Sequence, residues 1–156
     1  MGIRNTTINK KPLISYQSED YFIKEHIEET NRAYHAKCYT AVFILTRKII
    51  ENLLIRILRK NFPRNPSLFL NTSTNRYHDF SVILDNLFTE RNQFSDVGKS
   101  VIERLNQLVK PFKDDANAKT HSWFHIVKSA SEINDWQLET IFQLIIKLEQ
   151  EVGLRD

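Results

Sequence analysis

The fold of this chain is decided by its strongest helical segment, YTAVFILTRKIIENLLIRILRKN, which occupies residues 39–61. Apolar residues recur along it at the spacing of one broad helical face, and Phe62 and Pro63 end it. The residues of this face include Val42, Ile49, Ile50, Leu53, Leu54 and Ile57. A face this broad predicts a central helix that contacts several neighbours.

Four further segments have apolar residues at helical spacing, and they predict helices over about residues 18–37, 79–90, 96–109 and 135–151. The expected inward residues are Ile23, Ile27, Tyr34, Cys38, Phe80, Ile83, Leu84, Leu87, Phe88, Val97, Val101, Leu105, Leu108, Leu138, Ile141, Phe142, Ile145 and Leu148. No segment has the character of a strand. The fold class predicted is therefore all-α, a helical bundle of about five principal helices.

Local signals predict where these helices end. Lys110 precedes Pro111 and is pushed out of the α region, so Pro111 should kink or restart the helix, and residues 113–121 should form a further short helix. Asp135 is the expected cap of the last helix, and Gly153 should end it.

Composition limits the class of protein. The chain has 156 residues, a net charge of +3, only 3 Gly and 4 Pro, which fits one helical domain. Residues 1–17 are predicted to be a mobile arm and residues 18–156 a single domain. The single cysteine excludes an intramolecular disulfide and a cysteine-based zinc site. With no leader-like or membrane-spanning apolar run, we expect a cytoplasmic protein.

The side chains best suited to catalysis or ligand binding lie in the stretch KDDANAKTHSW, residues 113–123. If this stretch is helical, Lys113, Asn117 and His121 are four residues apart and share one face. A cation, an amide and a titratable base in a row suit an anionic ligand or an RNA phosphate. Alternatively, His121 caps a helix end and Asn117 is a satisfied buried amide.

Other polar residues allow two interpretations each. Arg47 and Glu51 either contact a ligand or form a structural ion pair. The cations along and after the outer face of residues 39–61 form a solvated face or a surface that follows phosphates; they are Lys48, Arg56, Arg59, Lys60 and Arg64. Trp123 and Phe124 either stack on a base or fill a bundle end or a dimer interface.

Metal binding is the weakest of these hypotheses. Asp114 and Asp115 together with His121 and His125 offer suitable ligand types. However, Asp114 and His121 are two helical turns apart, and His125 lies beyond the expected helix end. We therefore expect no metal and no cofactor.

Two of these segments together resemble a known superfamily. The stretch AYHAKCYTA at residues 33–41, followed by Arg47 and Glu51, is similar to the start of the second helix in the HEPN superfamily, and Asn117 to His121 resembles its Asn-x-x-x-His motif. The resemblance covers about residues 20–150. It implies an all-α bundle that often pairs through its late helices. In active members, an arginine four to six residues before a histidine forms a metal-independent RNA-cleaving site across the dimer.

This chain departs from that motif. The positions where the arginine would stand hold Asp114, Asp115 and Ala116, and a carboxylate repels the phosphate that an arginine would hold. We therefore expect a HEPN-like homodimer that binds RNA or a nucleotide, in a toxin or phage-defence setting and with an operon-encoded protein as a further partner. The alternatives are a metal-independent endoribonuclease and a purely structural dimerisation scaffold.

These expectations assign roles to particular residues. His121, Asn117 and Lys113 form the site, and are catalytic if the protein is an enzyme. Arg47 and Lys119 hold phosphate, and Arg47 also pairs with Glu51. The dimer contact is expected around residues 110–145.

Overall fold

A computed structural model describes residues 10–156, and within that range the chain is about 68% helical. The helices are α1 (Tyr21–His35), α2 (Tyr39–Asn61), α3 (Phe80–Thr89), α4 (Asp96–His121), the short α5 (Ala130–Asn134) and α6 (Leu138–Val152). Two single turns of 3-10 helix, Pro66–Leu68 and Arg91–Gln93, flank α3. The all-α bundle with five principal helices is confirmed.

Helix α2 lies at the centre of the bundle, as its broad apolar face predicts. It packs against each of the other five helices of the described chain, and all six of its predicted core residues are buried. The predicted stripe of α6 is also buried throughout. The core is therefore built around α2, with α4 and α6 on one side and α1 on another.

The prediction of a separate helix after Pro111 is wrong, because α4 runs without interruption from Asp96 to His121. A proline inside a helix removes one backbone hydrogen bond and crowds the preceding turn. Here the buried stripe stays in phase on both sides of the proline: Ile102, Leu105, Val109, Phe112 and Ala116. Burial of that continuous stripe offsets the local cost of the proline.

Three end positions also differ from the predictions. Val97 is 70% exposed, because the first turn of α4 turns Gly98, not Val97, towards Glu151 of α6. Cys38 is exposed, since α1 ends at His35 and Cys38 caps α2. Asp135 ends α5 instead of capping α6. The predicted stop of α6 at Gly153 is confirmed, and its left-handed φ of 80° favours glycine.

A short hairpin occupies the long connection between α2 and α3, where no strand was predicted. Its strands are β1 (Leu70–Asn71) and β2 (Arg76–Tyr77), paired antiparallel. The Asn71 side chain accepts hydrogen bonds from the backbone of the turn that joins them. The hairpin brings Tyr77 close to α2, where its hydroxyl accepts a hydrogen bond from Arg59.

The prediction of a mobile arm does not hold for residues 13–17. Ile14 and Tyr16 are buried, and the amide of Asn31 in α1 bonds both the backbone N–H and the carbonyl of Ile14, at 2.9 and 3.0 Å. The buried side chains of Ile14 and Tyr16 and the two hydrogen bonds with the Asn31 amide therefore fix this segment to the bundle. Residues 1–9, which belong to the predicted arm, lie outside the described residues.

A buried polar cluster joins that segment to the end of the chain. The Tyr16 hydroxyl donates to Glu149 at 2.5 Å, and Arg155 donates to the same carboxylate at 2.9 Å and to the Gln17 carbonyl at 2.6 Å. The Arg155 guanidinium also lies over the Tyr16 ring, 4.8 Å from its centre. Burial, and then the hydrogen bond with Glu149, raise the pKa of Tyr16 above its ordinary value of 10.0.

Replacing Tyr16 by phenylalanine is expected to lower the free energy of unfolding by about 1–3 kcal/mol near pH 8, because the buried Glu149 loses a donor. Since the folded-state pKa of Tyr16 is raised, its stabilising contribution is fully present below pH 10.0 and is lost as the pH rises further. Urea unfolding at pH 8 and pH 11 should therefore show a smaller difference between wild type and variant at pH 11. Tyr21→Phe, at an exposed tyrosine, is the control and should change little at pH 8.

None of the helices within residues 10–156 combines the length and the apolar character that a bilayer-spanning helix needs.

Candidate nucleic-acid interface

Helix α4 carries all three residues of the predicted site, and each has a different environment. Asn117 accepts a hydrogen bond from Nε of Arg47 in α2, at 2.5 Å. Lys113 is only 8% exposed; its ammonium group donates to Ser81 of α3 at 2.9 Å and lies 3.1 Å from Asp114. His121 is the last residue of α4 and is exposed. Lys113 and Asn117 are therefore bonded to residues of α3 and α2, while His121 is exposed at the helix end.

Arg47 is held in a polar cluster between α2, α3 and α4. Besides Asn117, it contacts the Glu51 carboxylate at 3.4 Å, and its guanidinium lies 5.7 Å from the centre of the Phe80 ring. Burial raises the pKa of Glu51 and the charge of Asp79 adds to this, while Arg47 acts in the opposite direction. The structure thus places Arg47 and Glu51 in an ion pair within α2, while the hydrogen bond to Asn117 joins α2 to α4. Arg47 would have to leave these partners to bind phosphate.

The remaining residues of the motif stretch offer little support for a catalytic site. Asp114 is exposed, Asp115 is half-buried and Ala116 is buried in the core. The side chain of Lys119, the second predicted phosphate ligand, lies outside the described residues. Across the part of the chain that the structure describes, no group of three histidine, cysteine or acidic side chains is placed to hold a metal ion.

The segment after α4 exposes three large apolar side chains. Trp123 is 91% exposed, Phe124 89% and Ile126 66%. The next residue, Val127, is buried, and its N–H donates to the hydroxyl of Thr40 at 3.0 Å. Trp123 and Phe124 therefore do not fill the bundle end. Trp136 has that role instead, with its ring packed edge-on against Phe43 and Phe112.

A different set of residues forms a groove between α1, α2 and the β2 strand. The groove encloses a cavity of about 310 Å³. Ile23 of α1 with Ile49 and Ile55 of α2 form its apolar floor. The polar and aromatic residues around the floor are Asp20, Phe22, His26, Lys48, Asn52, Arg56, Arg59 and Tyr77. We call this site the α1–α2 groove.

The charged groups around the α1–α2 groove are mostly cations. Lys48, Arg56 and Arg59 all come from the outer face of α2. The one carboxylate in the lining is Asp20, and it already accepts a hydrogen bond from the backbone N–H of Ile23 at 3.0 Å as the cap of α1. Arg59 donates to the Tyr77 hydroxyl at 3.0 Å. The groove therefore combines positive charge with an apolar base.

Sequence reasoning found the cations of this groove but missed its other components. Phe22 and His26 lie on α1, beside the inward-facing Ile23 and Ile27, and Tyr77 lies on a hairpin that had no sequence signal. Phe22 was detectable as a large apolar residue outside the predicted stripe. His26 and Tyr77 could not be assigned to the groove from the sequence, because that assignment depends on which faces of α1 and α2 meet.

Comparison of the chain with models of protein families, with curated proteins and with solved structures found no significant match in any of the three.

Proposed function

We propose that this protein is a HEPN-like helical module that binds RNA through the outer face of α2. The observation that supports the proposal is the charge of that helix. The helix contains one acidic residue, Glu51, and five cations: Arg47, Lys48, Arg56, Arg59 and Lys60. Because Glu51 pairs with Arg47, the cations that remain on the outer face are Lys48, Arg56 and Arg59, and Lys60 and Arg64 follow them along the chain.

Cations in such a row favour a phosphate backbone over a small anion. Each phosphate that a lysine or arginine neutralises releases condensed counterions, so several contacts give affinity that falls steeply with salt. Lys48, Arg56 and Arg59 span three turns of one helix, a length that fits successive phosphates of a strand.

Binding without cleavage is the better supported form of this proposal. Lys113, one turn before Asn117, donates to Ser81, and Arg47 is held by Asn117 and Glu51. The exposed carboxylate of Asp114 stands where the resemblance expects an arginine. His121 has no cation described next to it that would hold a scissile phosphate.

Reversing two of the cations is expected to weaken RNA binding. Lys48→Glu combined with Arg56→Glu should lower the affinity for a short single-stranded RNA at least tenfold in fluorescence anisotropy. The slope of log affinity against log salt should fall by about 1.4, two contacts at 0.7 each. The matched control is Arg104→Glu with Lys147→Glu, which makes the same charge change on exposed residues of α4 and α6 and should have a smaller effect.

The outcomes of this experiment separate the alternatives. Equal losses in both double variants would mean that only net charge matters, which contradicts the α2 surface. No binding by the wild type at low salt would reject RNA binding altogether. RNA cleavage by the wild type in EDTA, abolished in His121→Ala, would support the metal-independent endoribonuclease instead.

We also propose that the protein forms a homodimer through the apolar segment after α4. Light scattering at tens of micromolar should give twice the chain mass of 18.5 kDa, because Trp123, Phe124 and Ile126 expose three large apolar side chains within four residues on a single chain. Trp123→Ala should weaken the association more than it lowers helicity. Val97→Ala, at another exposed apolar residue, should leave it unchanged. A mass of 18.5 kDa for the wild type would contradict the dimer.

A further inference from the structure

We infer that the α1–α2 groove is a nucleotide subsite: it takes one base of a single-stranded RNA onto its apolar floor and holds the adjoining phosphates with Lys48, Arg56 and Arg59. The inference rests on the proposed RNA-binding function and adds to it the place where a base is bound. Its basis is the occurrence, in one groove, of an apolar floor, two exposed aromatic rings and three cations.

The size of the groove fits one nucleotide unit. Its volume of about 310 Å³ is at the lower end of the range of small-ligand sites, roughly 300–1,000 Å³. A planar base is apolar on its faces and polar at its edges, so it matches a floor of isoleucine side chains with polar groups around it. Phosphates are excluded from the floor by their charge and would stay at the cationic edge.

Two exposed aromatic side chains strengthen the case for a base. Phe22 is 72% exposed although it stands in the first turn of α1, next to the buried Ile23. Tyr77 lies in the same lining, and its position is fixed by the hydrogen bond from Arg59 to its hydroxyl. Stacking on aromatic rings is the usual way in which proteins hold unpaired bases, with about 1–3 kcal/mol per base.

The electrostatics favour a nucleotide over an uncharged apolar ligand. Lys48, Arg56 and Arg59 outnumber the single carboxylate of Asp20, which is already bonded as the cap of α1. An acidic amphipathic peptide would satisfy the same charge and the same floor. It would not need two exposed aromatic rings beside a small cavity, and we therefore take it as the alternative outcome.

The experiment compares base-dependent with phosphate-dependent binding. The variants are Phe22→Ala and Tyr77→Ala, both at exposed residues, and the ligands are a single-stranded RNA and an abasic strand of the same length. Each variant should bind the intact RNA about tenfold more weakly, with an unchanged salt slope, and should bind the abasic strand like the wild type. Val97→Ala is the control, because Val97 is a similarly exposed apolar residue that lies on α4 and does not line the groove.

A second measurement keeps the subsite separate from the proposed function. Titration of the wild type with a nucleoside monophosphate, followed by NMR, should shift the amide signals of Ile23, Asn52 and Tyr77. Such shifts without RNA binding would retain the subsite and reject the RNA function. Equal weakening of intact and abasic strands by Phe22→Ala would reject the subsite and retain RNA binding. Binding of a glutamate-rich helical peptide in the groove, without shifts from the nucleotide, would also overturn the inference.

Discussion

Replacing Leu53 by alanine is expected to lower the free energy of unfolding by roughly 2–5 kcal/mol. Leu53 has no exposed surface and lies midway along α2, the helix around which the core is built. Truncation removes buried methyl groups and leaves a cavity. The surrounding side chains belong to several helices, and they would all have to move to close it. Urea unfolding followed by circular dichroism at 222 nm measures the loss.

Ile44→Ala provides the matched control for this substitution. Ile44 is on the same helix but is 38% exposed, so its truncation removes less buried surface and leaves no closed cavity. We expect a loss of at most about 1 kcal/mol. If the two substitutions cost the same, α2 does not occupy the centre of the bundle.

The positions of α2, α3 and α6 could be predicted because their signals are local. Each has several apolar residues at helical spacing, and all of the predicted inward residues of α2 and α6 are buried. The end of α6 was equally predictable, since Gly153 adopts a positive φ that other residues adopt at a cost. In such segments, local preference and tertiary packing agree.

The predictions failed where packing between distant segments overrides a local signal. Pro111 disfavours a helix locally, but Phe112 and Ala116 continue the buried stripe that begins before it. Residues 13–17 look featureless locally, but Ile14 is clamped by Asn31 and Tyr16 by Glu149, 133 residues away. No pattern within either short segment contains that information.

The candidate site shows a further difficulty, which is geometric. Residues four apart on a helix differ by about 40° in direction, so Lys113 and His121 differ by about 80°. Lys113 and Asn117 contact Ser81 of α3 and Arg47 of α2, while His121, at the end of α4, is exposed. The α1–α2 groove, in contrast, is assembled from three elements, and only its cations shared a sequence signal.

The other large effect is expected at Arg47. Arg47→Met keeps the length and packing of the side chain but removes the donors to Asn117 and Glu51. Both partners are half-buried, and a loss of about 1–3 kcal/mol in unfolding free energy should follow. The loss should be smaller in the double variant with Asn117→Leu than the sum of the two single losses, by about 1 kcal/mol. Additive losses would contradict the hydrogen bond.

The pH dependence of the Arg47→Met effect gives an independent check. Glu51 has a raised pKa, so its contribution to stability is most favourable below its ordinary value of 4.5 and declines as the pH rises through the folded-state pKa. Arg47 opposes this decline, because its charge favours the ionised carboxylate. Removing Arg47 should therefore cost more at pH 7 than at pH 4, and adding Glu51→Gln should recover part of the loss at pH 7.

RNA binding by the same variant decides between the two roles predicted for Arg47. If Arg47 only joins helices, Arg47→Met that remains folded should bind RNA with wild-type affinity and an unchanged salt slope. If Arg47 contacts a phosphate, the affinity should fall uniformly across sequences and the slope by about 0.7. Because the guanidinium is held by Asn117, Glu51 and the Phe80 ring, a new phosphate contact would have to replace these interactions. We therefore expect the first result: reduced stability with RNA affinity intact.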